Sequence, residues 1–267
     1  MTTTQEEGLF VVPEKQYHVS AGVSKSALSH MSRSPYHYKY RLDNPIEQTD
    51  AMAMGSLVHC MNLEPQRMEA EYAVAPKVDK RTKAGKETYA QFVESAAGKT
   101  VVSQSDMDTA QAMTDSLANH KLANEMLTED GKTEMSCYSI HRETGLLRRG
   151  RFDKLVEGKG IYDLKTTSDA SPDAFMKSVV NFGYHVQASY YMDMAEQQLI
   201  DVPNFYFICV ENKAPYGCAV YTLDETALKA GYDQYTRNLK KLKMCVENDF
   251  YPCYSSDVTK LASPSWI

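Results

Sequence analysis

The sequence contains no run approaching the roughly 20 apolar residues that a bilayer-spanning helix needs, and its first residues lack the basic-then-apolar layout of a secretory leader. A cytoplasmic protein is expected. There is no Cys-x-x-Cys pair: the six cysteines stand at 60, 137, 209, 218, 245 and 253. That spacing excludes the usual zinc and iron–sulfur ligand sets and reads as reduced, mostly buried thiols. Gly98-Lys99-Thr100 imitates the end of a phosphate-binding loop, but Val93 occupies the required upstream glycine position, so nucleotide binding and ATPase activity are not expected. No Gly-x-Ser-x-Gly elbow and no His-Glu-x-x-His helix occurs, which removes two further classes of hydrolase. Positive charge is not in excess either, since the formal net charge is −6. This counts against a protein that coats itself in nucleic acid, yet leaves room for a focused site whose acidic groups hold divalent cations.

What is present is ordinary globular material, with 43% hydrophobic and 24% charged residues over 267 positions, enough for a full core and against extended disorder. One domain is expected over residues 1–267, with a helical part from about 20 to 130 and a sheet-bearing core from about 133 to 267. Ser24 is placed to cap a helix from Lys25 to Met31, and Ser34-Pro35 to open another through Tyr40. Apolar spacing predicts helices over Asp50–Leu63 and from Ser105 to Leu127, separated by a basic loop from Pro76 to Lys86 and a short helix around Tyr89–Val93. From Thr133 to Thr166 the pattern alternates and is punctuated at Glu143-Thr144-Gly145 and Glu157-Gly158-Lys159-Gly160, which predicts three antiparallel strands. Helices at Pro172–Val180 and Tyr184–Leu199, strands at Asn204–Val210 and Cys218–Leu223, and a helix at Glu225–Val246 complete a mixed sheet flanked by helices.

The most informative stretch runs from Gly150 through Asp153 to Asp163-Leu164-Lys165-Thr166-Thr167. It places two carboxylates and a lysine on one hairpin. Because strand side chains alternate, Asp163 and Lys165 share a face while Leu164 turns the other way. Residues directly opposed in a hairpin also share a face, and the sum of their numbers is constant along the ladder. A three-residue loop Glu157-Gly158-Lys159 therefore sets Asp153 opposite Asp163, whereas a two-residue turn at 158–159 sets it opposite Leu164. Paired buried carboxylates repel unless a proton or a cation lies between them, and Mg²⁺ is the usual hard-oxygen partner where phosphates are cleaved. Lys165 beside such a cation is suited to orient a nucleophile or stabilise the transition state. The same residues also allow a blander arrangement, a cross-strand salt bridge between Asp153 and Lys165 on a solvated sheet face.

In these residues the chain resembles the PD-(D/E)xK nuclease superfamily, and more closely the exonuclease VIII (RecE-type) group of phage and prophage recombination nucleases. The matching pieces run nearly the length of the chain: Val23-Ser-Lys-Ser-Ala-Leu-Ser29, Ala53-Met-Gly-Ser-Leu-Val-His59, Asp79-Lys-Arg-Thr-Lys-Ala-Gly-Lys86, Gly150-Arg-Phe-Asp153, Asp163-Leu-Lys165-Thr-Thr167 and Gln187-Ala-Ser-Tyr-Tyr191. Phe152 stands where the superfamily name implies a proline. The four-cysteine cluster of some relatives with this core has no counterpart here. The resemblance implies an α/β, restriction-endonuclease-like core with a central mixed sheet flanked by helices. It implies Asp153, Asp163 and the Leu164 main-chain carbonyl as metal ligands, Lys165 as the catalytic lysine and His59 as a further metal or phosphate contact. It adds Glu134 as another acidic group, with Gln187 and Tyr191 orienting substrate from one helix face. Mg²⁺ is the implied cofactor, with Mn²⁺ able to substitute. The implied reaction is digestion of linear double-stranded DNA from its 5′ ends, leaving 3′ tails for a single-strand annealing protein. A ring-like homo-oligomer of three or four chains is also implied.

Several of these residues have a plainer role open to them. His59, beside Leu57 and Val58, suits a core histidine, and Gln187 and Tyr191 suit ordinary helix packing. Lys80, Arg81, Lys83 and Lys86, together with Arg149 and Arg151, are read as DNA phosphate contacts, although charge runs are usually just solvated. Two other functions stay open: a helicase-associated or structure-specific nuclease of the same fold, and a catalytically silent module that binds DNA or a partner. The complete set Asp153, Asp163 and Lys165 argues against the silent module.

Overall fold

A computed structural model describes residues 6–263. In chain order its elements are β1 (Gly8–Phe10), α1 (Glu14–Val19), β2 (Val23–Ser24), α2 (Lys25–Ser29), α3 (Pro35–Asp43), α4 (Asp50–Leu63), α5 (Met68–Glu71), β3 (Tyr72–Val74), α6 (Lys83–Ser95) and β4 (Thr100–Val102). They continue as α7 (Gln104–Asn119), α8 (Lys121–Thr128), β5 (Lys132–Ile140), β6 (Leu147–Val156), β7 (Gly160–Thr167), α9 (Pro172–Asn181), α10 (Tyr184–Gln197), β8 (Phe205–Glu211), β9 (Cys218–Thr222) and α11 (Glu225–Asn248).

Local chemistry sets most of the helix starts. Ser24, Ser34 and Thr49 each accept a backbone N–H from the first turn of α2, α3 and α4, satisfying donors that a helix start leaves open. Three of the boundaries differ from the sequence expectation. Thr82 caps α6, so Lys83 and Lys86 ride on a helix rather than in a loop. Ser103, not Ser105, caps α7 in a reciprocal box with Asp106, and the expected single helix breaks at His120, whose Nδ1 accepts the Ala123 N–H at 3.2 Å and starts α8.

The main sheet has the order β1-β5-β6-β7-β8-β9, with β2 added beside β6. It is mixed: β5, β6 and β7 are antiparallel, β7 and β8 parallel, β8 and β9 antiparallel. Helices cover both faces. On one side Phe152, Ile161, Phe205 and Phe207 pack with Val179, Tyr190 and Leu239 from α9, α10 and α11. On the other, Leu164, Ile208 and Val210 pack with Val58, Met113 and Met126 from α4, α7 and α8. These strands are buried from both directions, which accounts for the run Phe205–Val210 being apolar at nearly every position.

The hairpin of β6 and β7 closes through the three-residue loop, with Lys154 opposite Tyr162, Leu155 opposite Ile161 and Val156 opposite Gly160. The same register puts Asp153 opposite Asp163, one step beyond the last laddered pair. There the strands part. The free edge of β6 is taken by β2, through Val23 with Arg148 and Ser24 with Arg149, while β7 continues along β8 as far as Thr167 and Glu211. Leu164 N–H, which lies beyond the β6 ladder, donates instead to Asp153 Oδ2 at 2.9 Å. On the opposite edge of β6 the pairing with β5 skips one position, between Met135–Phe152 and Thr133–Lys154. The skipped residue is Glu134, in the left-handed region at φ 53°, where a non-glycine side chain is strained.

Candidate active site

The parting of β6 and β7, the kink at Glu134 and the inner face of α4 converge on one cavity of about 420 Å³, whose walls include Ser26, His59, Glu134, Arg151, Asp153 and Tyr191. His59 reaches the sheet from mid-α4: its Nε2 lies 2.7 Å from the Leu164 carbonyl oxygen and its Nδ1 3.5 Å from Asp153 Oδ2. His59, Glu134 and Asp153 each bring one ligand atom within 4.8 Å of the others. A nitrogen and two carboxylate oxygens beside a main-chain carbonyl form a donor set that suits a divalent cation. Asp163 is fully buried on the α10 side. Its Oδ1 accepts from Gln187 Nε2 at 2.7 Å, and its Oδ2 pairs with the ammonium of Lys165. Lys165 thus pairs along its own strand and not across to Asp153, and it is enclosed rather than solvated.

The electrostatics follow from this enclosure. Burial, reinforced by the neighbouring Asp163, pushes the Asp153 carboxyl up to about 7, with His59 and Lys165 only partly offsetting them. Burial by itself would lower the Lys165 amine, but Asp163 and Asp153 outweigh it and keep the ammonium charged. Two carboxylates, one of them at the edge of protonation near neutral pH, mark a place where one more positive charge would be stabilised.

The remaining sequence-singled residues fall into separate groups. Gln187 contacts Asp163 directly, whereas Tyr191, one turn later on α10, packs on Phe152 with ring centroids 5.2 Å apart and lines the cavity. Arg151 also lines it, but its guanidinium is held by Glu134 and by the Val12 carbonyl. Arg149 donates to the Tyr17 and Ser20 carbonyls, so both arginines bind the N-terminal segment to the sheet. Lys80, Arg81, Lys83 and Lys86 are exposed around the start of α6. Lys80 lies over the Tyr89 ring at 3.4 Å, Arg81 pairs with Asp79 at 3.1 Å, and Lys83 sits 4.0 Å from Glu87. None of these contacts reaches the Asp153 cluster.

Lys25 is a site residue that sequence reasoning passed over. Its Nζ donates to the Phe182 carbonyl at 2.7 Å, and its ammonium lies close enough to Lys165 and Asp163 to feel both charges. The one available signal is its place in the Val23–Ser29 piece, which carries the helix cap and the family resemblance but assigns no role to the lysine.

A mixed sheet flanked by helices, with its carboxylates and lysine gathered where two central strands part, defines a domain of the PDDEXK-like class. The family described as "PDDEXK-like domain of unknown function (DUF3799)" matches residues 24–263, and the chain belongs to it. Among solved structures, a protein of Eubacterium rectale described as a "putative exonuclease" gives a TM-score of 0.64 at 13% identity, over 96% of this chain and 97% of that one. At that identity the likeness is one of fold. A second solved chain, SSO0001, gives a TM-score of only 0.29 at 13% identity, over 68% of this chain and 85% of its own, and bears on nothing here. No curated protein gives a significant match.

If the α6 cations contact DNA phosphates, neutralising Lys80 and Arg81 together should weaken duplex binding and reduce the slope of log K against log salt by about 2. Binding titrations across a salt series measure this. An unchanged slope would mark the stretch as solvated surface.

Proposed function

We propose that this protein is a divalent-metal-dependent exodeoxyribonuclease of the exonuclease VIII type, digesting linear double-stranded DNA from 5′ ends and leaving 3′ tails for strand annealing. The observation that carries the proposal is the cluster of His59, Glu134 and Asp153 where β6 and β7 part, with Asp163 near enough to raise the Asp153 carboxyl and Lys165 paired to Asp163. In this reading His59, Glu134 and Asp153 hold the cation with the Leu164 carbonyl at hand, and Asp163 joins them. Mg²⁺, or Mn²⁺ in its place, would supply a more acidic water and neutralise charge on the scissile phosphate. Lys165 orients the attacking water or meets charge developing on the phosphate, and Gln187 fixes the Asp163 carboxylate. Arg151 holds the Glu134 carboxylate toward the cluster despite the strained backbone.

Digestion from an end, rather than internal cutting, rests on the motif resemblance along the chain, and the description of the Eubacterium rectale protein is compatible with it. A trimeric or tetrameric ring threaded by the duplex would reconcile a net charge of −6 with DNA binding, because positive charge need line only the channel. The partner in this reading is a single-strand annealing protein in the cytoplasm.

The experiment is digestion of a linear duplex labelled separately at its 5′ and 3′ ends, beside a closed circle, in Mg²⁺ and in EDTA. Early release of the 5′ label as mononucleotide, an intact circle and complete inhibition by EDTA are expected. Cutting of the circle would replace this reading with an endonuclease of the same fold. No cutting in Mg²⁺ or Mn²⁺ would leave a silent binding module.

A further inference from the structure

The joint between α9 and α10 carries an exposed aromatic side chain. Phe182, the residue after α9, is 62% exposed, and Val180 beside it is 60% exposed. The next residue, Gly183, turns the backbone through the left-handed region at φ 64°. The Phe182 ring lies 5.7 Å from the Tyr184 ring, at an interplanar angle of 35°. Two ammonium groups approach that same tyrosine, Lys165 at 5.0 Å and Lys25 at 5.9 Å from its centroid. Lys25 is anchored by the Phe182 carbonyl, which leaves its other protons free. The residue after Lys25, Ser26, lines the cavity that holds Asp153 and His59. The exposed ring is therefore linked through Tyr184 to Lys165 and its partner Asp163, and flanked by positive charge. Burial, with Lys165 adding to it, lowers the Lys25 amine to about 8 while Asp163 acts the other way.

An aromatic face at the rim of a phosphate-cleaving site, with a lysine one contact away, matches the two chemistries that every nucleotide offers, a π-face and a phosphate. We propose that Phe182 and Lys25 form a nucleotide subsite next to the scissile position, in which Phe182 stacks on an unpaired base of the substrate strand and Lys25 contacts its adjoining phosphate. The occupant is a single-stranded nucleotide, because a base inside a duplex has both faces covered by its neighbours while an unpaired one can offer a face to Phe182 and its phosphate to Lys25. This rests on the nuclease reading above, and it makes Phe182 and Lys25 positioning residues. Val180 and Met176, the latter 46% exposed, lie one turn apart on α9 and add exposed apolar surface before Phe182.

The test uses the full chain in Ca²⁺, where binding is followed without turnover, and DNA ends carrying 2-aminopurine at one of the first few unpaired positions. The wild-type protein should quench the probe at one position. Phe182→Ala should abolish that quench and weaken binding about 10-fold, while Phe182→Tyr restores both. Lys25→Gln should reduce the salt slope by about 0.7, the share of one single-strand phosphate. In Mg²⁺, Phe182→Ala should raise KM more than it lowers kcat. Equal quenching by Phe182→Ala, or quenching at no position by a wild-type protein that digests DNA, would overturn the subsite and leave the nuclease reading standing. A wild-type protein that quenches at one position but cleaves nothing would overturn the nuclease reading instead.

Discussion

Asp163→Asn should lower metal-dependent DNA cleavage by about 1,000-fold or more while leaving duplex binding in Ca²⁺ close to wild type. Asparagine keeps the shape of the side chain and can still meet Gln187, but it removes the charge that Oδ2 presents to Lys165. The Lys165 ammonium then sits enclosed without its counter-ion. That costs stability, though less than the roughly 3–5 kcal/mol of a fully sealed pair, because the lysine side chain keeps 16% of its exposure. A melting curve should accompany the rate, so that lost activity is not confused with lost folding. Retained metal-dependent turnover in a folded Asp163→Asn protein would remove Asp163 from the reaction.

Lys165→Met carries the second large effect, a fall in turnover of about 100- to 1,000-fold with cation binding retained. Its sharper signature is in pH dependence. Asp153 must lose its proton to hold a cation, and its carboxyl already stands near 7 because of burial and Asp163. Cation affinity and cleavage should therefore rise as pH increases toward about 7 and level off above it, with proton release on binding confined to the lower range. Lys165 is one of the charges that lower the Asp153 carboxyl. Removing it must move the acid limb to higher pH. Manganese-binding titrations and rates from about pH 5.5 to about 8.5 measure both effects. A near-normal rate would take the catalytic role from Lys165, and an unmoved limb would show that Asp153 does not control the profile.

The hairpin was legible in the sequence because everything that determines it is local. Alternation and the glycines at 158 and 160 place the two strands and their turn, and the pairing of Val156 with Gly160 then selects the three-residue loop over the two-residue one, setting Asp153 in register with Asp163. The start of α7 was misplaced for an equally local reason. Ser103-Gln-Ser-Asp106 and Ser105-Asp-Met-Asp108 are overlapping capping frames, and the end of β4 at Val102 chose the first. The short strands β1 to β4 left no readable period, being two or three residues long. Arg149 and Arg151 looked like free cations on a strand until Val12, Tyr17 and Ser20, more than a hundred residues earlier, supplied the carbonyls that take them up.

By itself, then, the sequence determined the strand pattern and the sharing of a face by Asp163 and Lys165, both consequences of period, and narrowed the residue opposite Asp153 to Asp163 or Leu164. Only the tertiary structure decided that Asp163 is the residue in register with Asp153 and that β6 and β7 part there, that His59 reaches Leu164 across 105 positions, that Glu134 turns through a strained backbone toward Asp153, and that Lys25 meets the Phe182 carbonyl. Those placements depend on which strand takes an edge and which helix covers a face, and such choices are made by the burial of distant surfaces against one another, which no local pattern encodes.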